Sequence, residues 1–196
     1  GDVNNVNFGG MAPGKREPGE QIRVVAYSVA KAAQKAVANI KYKNHVSLAA
    51  EQKELMLGVR QPSKSELEKA NEILTKANKT VLDTMTEIYA REAVLLSKYP
   101  SQVPAIIQVI RIGDLGICAI PCEVFTEIGL ELKKKSPLKQ TFTISLANGY
   151  NGYLPTPEQH KLGGYETWRA RSSYLETDAS VKITNTLMSL LEKVQK

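Results

Sequence analysis

Residues 105–120, AIIQVIRIGDLGICAI, decide the fold. Two apolar runs rich in isoleucine and valine, 105–112 and 115–120, flank Gly113-Asp114. β-Branched residues are stiff in a helix and fit a pleated strand, and a glycine-containing pair between two such runs signals a tight turn. The stretch therefore predicts a β-hairpin. The period then lengthens. In residues 123–135, EVFTEIGLELKKK, the side chains of Val124, Phe125, Ile128 and Leu132 fall on one side of an amphipathic helix, and Ser136-Pro137 stops it. Residues 140–147 return to alternation through Phe142, Ile144 and Leu146 and predict another strand.

Upstream, residues 1–19 are rich in Gly, Asn and Pro and read as loop, with Pro18 where a helix would begin. Residues 20–40 predict that helix, because Ile22, Val25, Val29, Ala33 and Val37 recur at threes and fours. Residues 41–59 read as extended, although AAEQKEL within them also fits a helical turn. Pro62-Ser63-Lys64-Ser65-Glu66 supplies capping chemistry for a helical stretch over 66–98, with a break expected near Asn78. Downstream, Asp178 can cap a final helix over 179–195. Helices alternating with strands, some of them paired locally, predict an α/β (mixed α+β) fold with helices packed on a mixed β-sheet. The 196 residues suffice for a single domain spanning 1–196 with a sizeable core.

Composition excludes several classes. The mix of 42% hydrophobic and 23% charged residues is that of a globular protein, and no apolar run is long enough to cross a bilayer. The opening GDVNNVNFGG is no signal peptide and reads like the middle of a domain, so a fragment or processed product is expected. The net charge of +6 raises the question of nucleic acid. The basic residues, however, are interspersed with acids, and Lys133-Lys134-Lys135 sits where a helix C-terminus favours cations, so no nucleic-acid partner is expected. Two cysteines, Cys118 and Cys122, make no disulfide framework. Cys118 reads as a buried strand residue. Cys122 is open to a metal-binding CxxxC or to a nucleophilic role at a helix start.

Two segments carry possible chemistry. Glu123 stands where an apolar strand gives way to the predicted helix, at the strand edge where ligands gather in α/β sheets. The plainer alternative is an acid favoured by the helix dipole. Residues 146–168, LANGYNGYLPTPEQHKLGGYETW, hold Asn148, Tyr150, Asn151, Tyr153 and Tyr165 among glycines. Phenols can stabilise an oxyanion or ligate a hard metal. Tyrosines that simply tie the loop down are the alternative. His45 and His160 are the only histidines, and with no HxH or HExxH the chain has no complete zinc recipe of its own.

Three blocks, GDVNNVN (1–7), IPCEVFTEIGLEL (120–132) and LANGYNGYLPTPEQHKLGGYE (146–166), resemble in order those of the neutral/alkaline ceramidase family. The resemblance spans almost the whole chain and corresponds to the C-terminal half of that family's catalytic domain. It implies a zinc-dependent hydrolase acting on the N-acyl bond of a lipid-like substrate. Glu123 resembles the zinc-ligating glutamate of the PGE-type motif, written PCE here. Tyr153 resembles the zinc-bound tyrosine, and Tyr165 the tyrosine that contacts the amide or head group. The two tyrosines lie twelve residues apart, as in the family.

The family's catalytic serine falls on Asn4, whose amide cannot replace a hydroxyl. Zinc brings the pKa of water near neutrality, so hydrolysis of an amide or ester without that serine stays open. The family's two zinc-binding histidines belong to the missing N-terminal half, the further partner expected for Zn2+ binding. The resemblance also implies an exported protein. The reading is thus part of a ceramidase-like zinc amidohydrolase. A non-catalytic ligand-binding or structural protein on the same scaffold is the alternative, because of Asn4.

Overall fold

The computed structural model describes residues 17–195, so Asn4 and the Gly1-Asp2-Val3 block lie outside the described residues. The chain divides into two compact units, 2–46 and 47–196. In the first, helix α1 (Glu20–Ala38) follows Pro18 as its 3.6-residue pattern predicts, and none of its residues is buried.

The second unit is built on a four-stranded sheet of order β1-β2-β3-β5. Strand β1 (Leu48–Gly58) runs antiparallel to β2 (Gln102–Ile112), from Leu48 opposite Ile112 to Gly58 opposite Gln102. This pairing resolves AAEQKEL as strand rather than helical turn. Between them lie α2 (Lys64–Ala77) and α3 (Met85–Leu96). Each opens with a capping box, Ser63 with Glu66 and Thr84 with Glu87, which satisfies orphan N–H groups at the helix start. The expected break falls at Asn78, which ends α2 in the left-handed region at φ 43°.

The hairpin forms as its sequence predicts. Strand β3 (Leu115–Ile120) pairs antiparallel with β2 across Gly113, whose φ of 59° makes the tight turn. Helix α4 (Thr126–Lys135) then crosses over to β5 (Gln140–Ser145), which lies parallel to β3. The final helix α6 (Ala179–Gln195) and α4 both pack on one side of the sheet. There Leu57, Ile107, Val109, Cys118 and Ile120 meet Leu132, Ile183, Leu187 and Leu191 in the core. Gly116 permits the closest approach: a Cβ there would stand 2.8 Å from Leu138 and 3.1 Å from Leu191. Phe142 and Ile144, the alternating residues of β5, do not enter this core. They lie on the opposite, exposed face.

One expected boundary is corrected. The helix predicted over 123–135 begins only at Thr126, and Glu123–Val124 form a short strand, β4. The Glu123 N–H donates to the Gly152 carbonyl at 2.9 Å, and β4 pairs parallel with β6 (Tyr153–Leu154). That bond commits Glu123 to a strand ladder, three residues ahead of the helix.

Candidate functional site

The site is built where the parallel strands β3 and β5 end, the edge at which α/β sheets gather ligands. The chain leaving β5 is drawn across that edge by backbone hydrogen bonds. Leu146 N–H donates to the Cys122 carbonyl (3.0 Å), Ala147 N–H to Ile120 (3.1 Å) and Asn151 N–H to Pro121 (2.7 Å). Leu146 (φ 56°) and Asn148 (φ 67°) adopt left-handed backbone to make this path. At its end Tyr153 stands directly opposite Glu123 in the parallel β4–β6 register. Paired residues present their side chains to the same face, so a carboxylate and a phenol share one wall.

Two further phenols join them. Tyr165, in a 3-10 turn (Tyr165–Thr167) after the short helix α5 (Pro157–Leu162), packs edge-on to Tyr153 with ring centroids 5.7 Å apart and planes at 84°. Hydrogen bonding with Tyr165, then burial and the nearby Glu123 charge, push the Tyr153 phenol well above its ordinary range. Burial and the charge and hydrogen bonding of Glu123 likewise raise Tyr150. The Glu123, Tyr150, Tyr153 and Tyr165 side chains thus interact with one another. Tyr150 and Tyr165 are each more than half exposed and Glu123 and Tyr153 partly so, which leaves the group open to a ligand.

Other candidates from the sequence have structural roles. Asn151 is buried and its Oδ1 accepts from the Tyr174 hydroxyl at 2.7 Å, so it anchors the loop. Cys122 is fully buried, and burial pushes its thiol up to about 12, which disfavours a thiolate nucleophile there. Cys118 is buried in β3 as expected. His160 is half-buried on α5, its pKa lowered by burial and then by Arg60, and His45 is exposed.

Sequence reasoning missed the clamps that position the wall. Arg60 donates from Nε to the Leu175 carbonyl (2.8 Å), from Nη1 to Thr167 (3.0 Å) and from Nη2 to the Ser173 carbonyl and hydroxyl (2.7 and 3.0 Å). It thereby fixes the segment that carries Tyr165. The Tyr153 N–H donates to the Ser172 carbonyl at 2.8 Å. Gly152 (φ 72°) allows this approach, since a Cβ there would fall 2.4 Å from that oxygen. A glycine before Tyr153 was visible in the sequence. Nothing near Arg60 signals partners more than a hundred residues away.

For zinc, the wall supplies two adjacent oxygen donors, the Glu123 carboxylate and the Tyr153 phenol. These fit as part of a ligand set. Among the described residues no group of three or more His, Cys, Asp or Glu gathers to complete one.

No protein-family model matches the sequence, and no curated protein matches it. Solved structures do match the fold. The neutral ceramidase from Pseudomonas aeruginosa superposes with a TM-score of 0.58 at 15% identity, over 96% of this chain and 34% of that one. A ceramidase complexed with C2 superposes with a TM-score of 0.57 at 15% identity, over 97% of this chain and 37% of that one. The chain spans about a third of the length of these structures, and its fold is ceramidase-like.

Proposed function

We propose that this chain is part of a ceramidase-like, zinc-dependent hydrolase that cleaves an N-acyl (amide) or related bond of a lipid-like substrate. The observation that carries the reading is the parallel register placing Glu123 opposite Tyr153, with Tyr165 edge-on beside it. Glu123 and Tyr153 would hold the zinc together with ligands from outside the described residues. Zinc, when bound, supplies Lewis-acid polarisation and a water of lowered pKa. Tyr165, exposed and edge-on to Tyr153, would donate a hydrogen bond to the scissile carbonyl and to the charge that develops on it. Tyr150 interacts with Glu123 and would help to orient the carboxylate. No described helix is long and apolar enough to cross a membrane. Export belongs to the same proposal, on the ceramidase likeness alone.

Metal analysis of the full-length protein tests the assignment. Stoichiometric zinc, lost in Glu123→Ala, is the expected result, together with an amidase activity abolished by Tyr153→Phe. Absence of zinc, or its retention in Glu123→Ala, overturns it. Asn4, at the position of the family's serine, favours a second reading as a non-catalytic lipid-binding protein. That reading requires the full-length protein to bind N-acyl lipid while cleaving none of a broad amide and ester panel.

A further inference from the structure

The four-stranded sheet has two apolar faces, and helices cover one of them. Cross-strand register assigns the other. Ala50, Ile110, Ile117 and Phe142 form one row across β1, β2, β3 and β5, and Gln52, Gln108, Ala119 and Ile144 form the next. Residues two positions along a strand share a face, so Leu48, Ile106 and Ile112 join these rows. Leu48 is 73% exposed, Ile106 38%, Ile112 41%, Phe142 39% and Ile144 43%. Scattered surface apolars are ordinary, but a contiguous apolar patch spanning four strands marks an interaction surface.

We propose that this open sheet face docks the remaining polypeptide of a ceramidase-like catalytic unit, which covers it with an apolar layer. The inference rests on the fold likeness and not on the zinc reading. The match takes in 96% of this chain but 34% of the Pseudomonas aeruginosa enzyme, so about two thirds of that enzyme's polypeptide lies outside the matched part. The open face also runs into the wall described above. The Asn148 amide donates to the Gln108 Oε1 at 3.4 Å, and the Gln108 amide to Gln52 at 3.5 Å. Leu146, half exposed, extends the apolar surface to the same loop. A layer seated here therefore borders the wall that carries Glu123 and Tyr153. The glutamine pair offers it a polar contact that fixes its register. A second copy of this chain is disfavoured by the net charge of +6, which repels its like.

The native thiols make a direct test possible. Cys118 and Cys122 are fully buried, and burial pushes each up to about 12, so both are silent to a maleimide at neutral pH. Ile144→Cys would be the reactive thiol on the open face, with Lys134→Cys on α4 as an exposed control. Labelling rates are compared in the 196-residue chain and in the protein as its gene encodes it. In the chain both variants should label at similar rates. In the full-length protein Ile144→Cys should slow by at least about tenfold while Lys134→Cys does not, as burial of one surface requires. Fast labelling of Ile144→Cys in the full-length protein overturns the proposal. Slow, concentration-dependent labelling in the isolated chain also overturns it, by assigning the face to a second copy. Ile112→Cys reads the same face should Ile144→Cys fail to melt cooperatively. Zinc content of the same samples is read independently, so a covered face without metal would refute the hydrolase reading and leave this one standing.

Discussion

The helix-covered core and the tyrosine wall are held by different forces. In the core, Leu57, Ile107, Val109, Cys118, Ile120, Leu187 and Leu191 are fully buried, and apolar area removed from water does the work. The wall consists of two strands of two residues each, clamped by directional bonds from Arg60, from Ser172 and from the Asn151–Tyr174 pair. A packed core averages over many contacts and tolerates small changes by relaxing. A wall fixed by a few bonds can be moved locally while the rest stays folded. The groups with chemical potential, Glu123 and the three tyrosines, stand on the second kind of structure.

The largest effect should come from the core. Leu187→Ala removes a fully buried side chain from α6, and such truncations cost roughly 2–5 kcal/mol. The urea midpoint should fall accordingly, with the sheet and the wall lost in one transition. A wall that unfolds before the sheet in this variant would show the two to be separate cooperative units even when the core is the site of damage.

Next in size is Arg60→Ala. It leaves the carbonyls of Thr167 and Leu175 without a donor, while that of Ser173 keeps the Ala170 N–H, at about 1–3 kcal/mol for an unsatisfied buried group. The loss should be confined. Amide exchange should rise over 165–175 and remain slow in β2 and β3. Arg60→Lys should fail to rescue, because one ammonium cannot span the acceptors that the planar guanidinium reaches. Uniform acceleration of exchange across the sheet would erase the distinction between core and wall.

Gly152→Ala adds one methyl, and it bears on the wall alone. Its φ of 72° and the 2.4 Å approach to the Ser172 oxygen leave no room for a Cβ, and strain of this kind costs of order 1–3 kcal/mol. The backbone must withdraw from Ser172, which shifts Tyr153 relative to Glu123. The expected signature is a change in tyrosine environment, read by near-UV circular dichroism, larger than the change in melting temperature warrants.

How much of this was legible depends on the range of the interaction. The hairpin over Gly113-Asp114, the capping box at Ser63 and the break at Asn78 are set by neighbours within four residues and could be read directly, whereas the equally local box at Thr84 went unread. The helix start was misplaced at Glu123 because what holds that residue in a strand is Gly152, twenty-nine positions on. Phe142, Ile144 and Leu146 alternate as a buried strand should, yet they face outward. Periodicity assigns residues to a common face but not to the side that α4 and α6 cover. The tyrosine spacing pointed to the wall. Arg60, Ser172 and Tyr174, which hold it, have no local signature.

The smallest predicted effect probes the outermost clamp. Glu92 on α3 receives Arg171 through Nε at 2.8 Å and Nη2 at 2.9 Å, and its Oε2 also accepts the Arg171 N–H at 3.3 Å. Arg171 precedes Ser172, the acceptor for Tyr153, so this pair steadies the wall from behind. Hydrogen bonding from the Arg171 side chain holds the Glu92 carboxyl below the usual range against the opposing effect of burial. A carboxyl whose pKa is depressed on folding contributes its full stability above its unfolded value near 4.3 and loses it as pH falls through the lower, folded value. Arg171 is about half exposed, so the contribution is screened and should amount to about 0.2–1 kcal/mol. Wild type and Glu92→Gln should therefore differ by that amount in denaturant titrations at pH 7 and converge as the pH falls below the unfolded value near 4.3 and through the lower, folded one. A gap that persists at low pH would mean that Glu92 acts through packing against α3, as a core residue does, and would move the boundary between the two regions to the far side of Arg171.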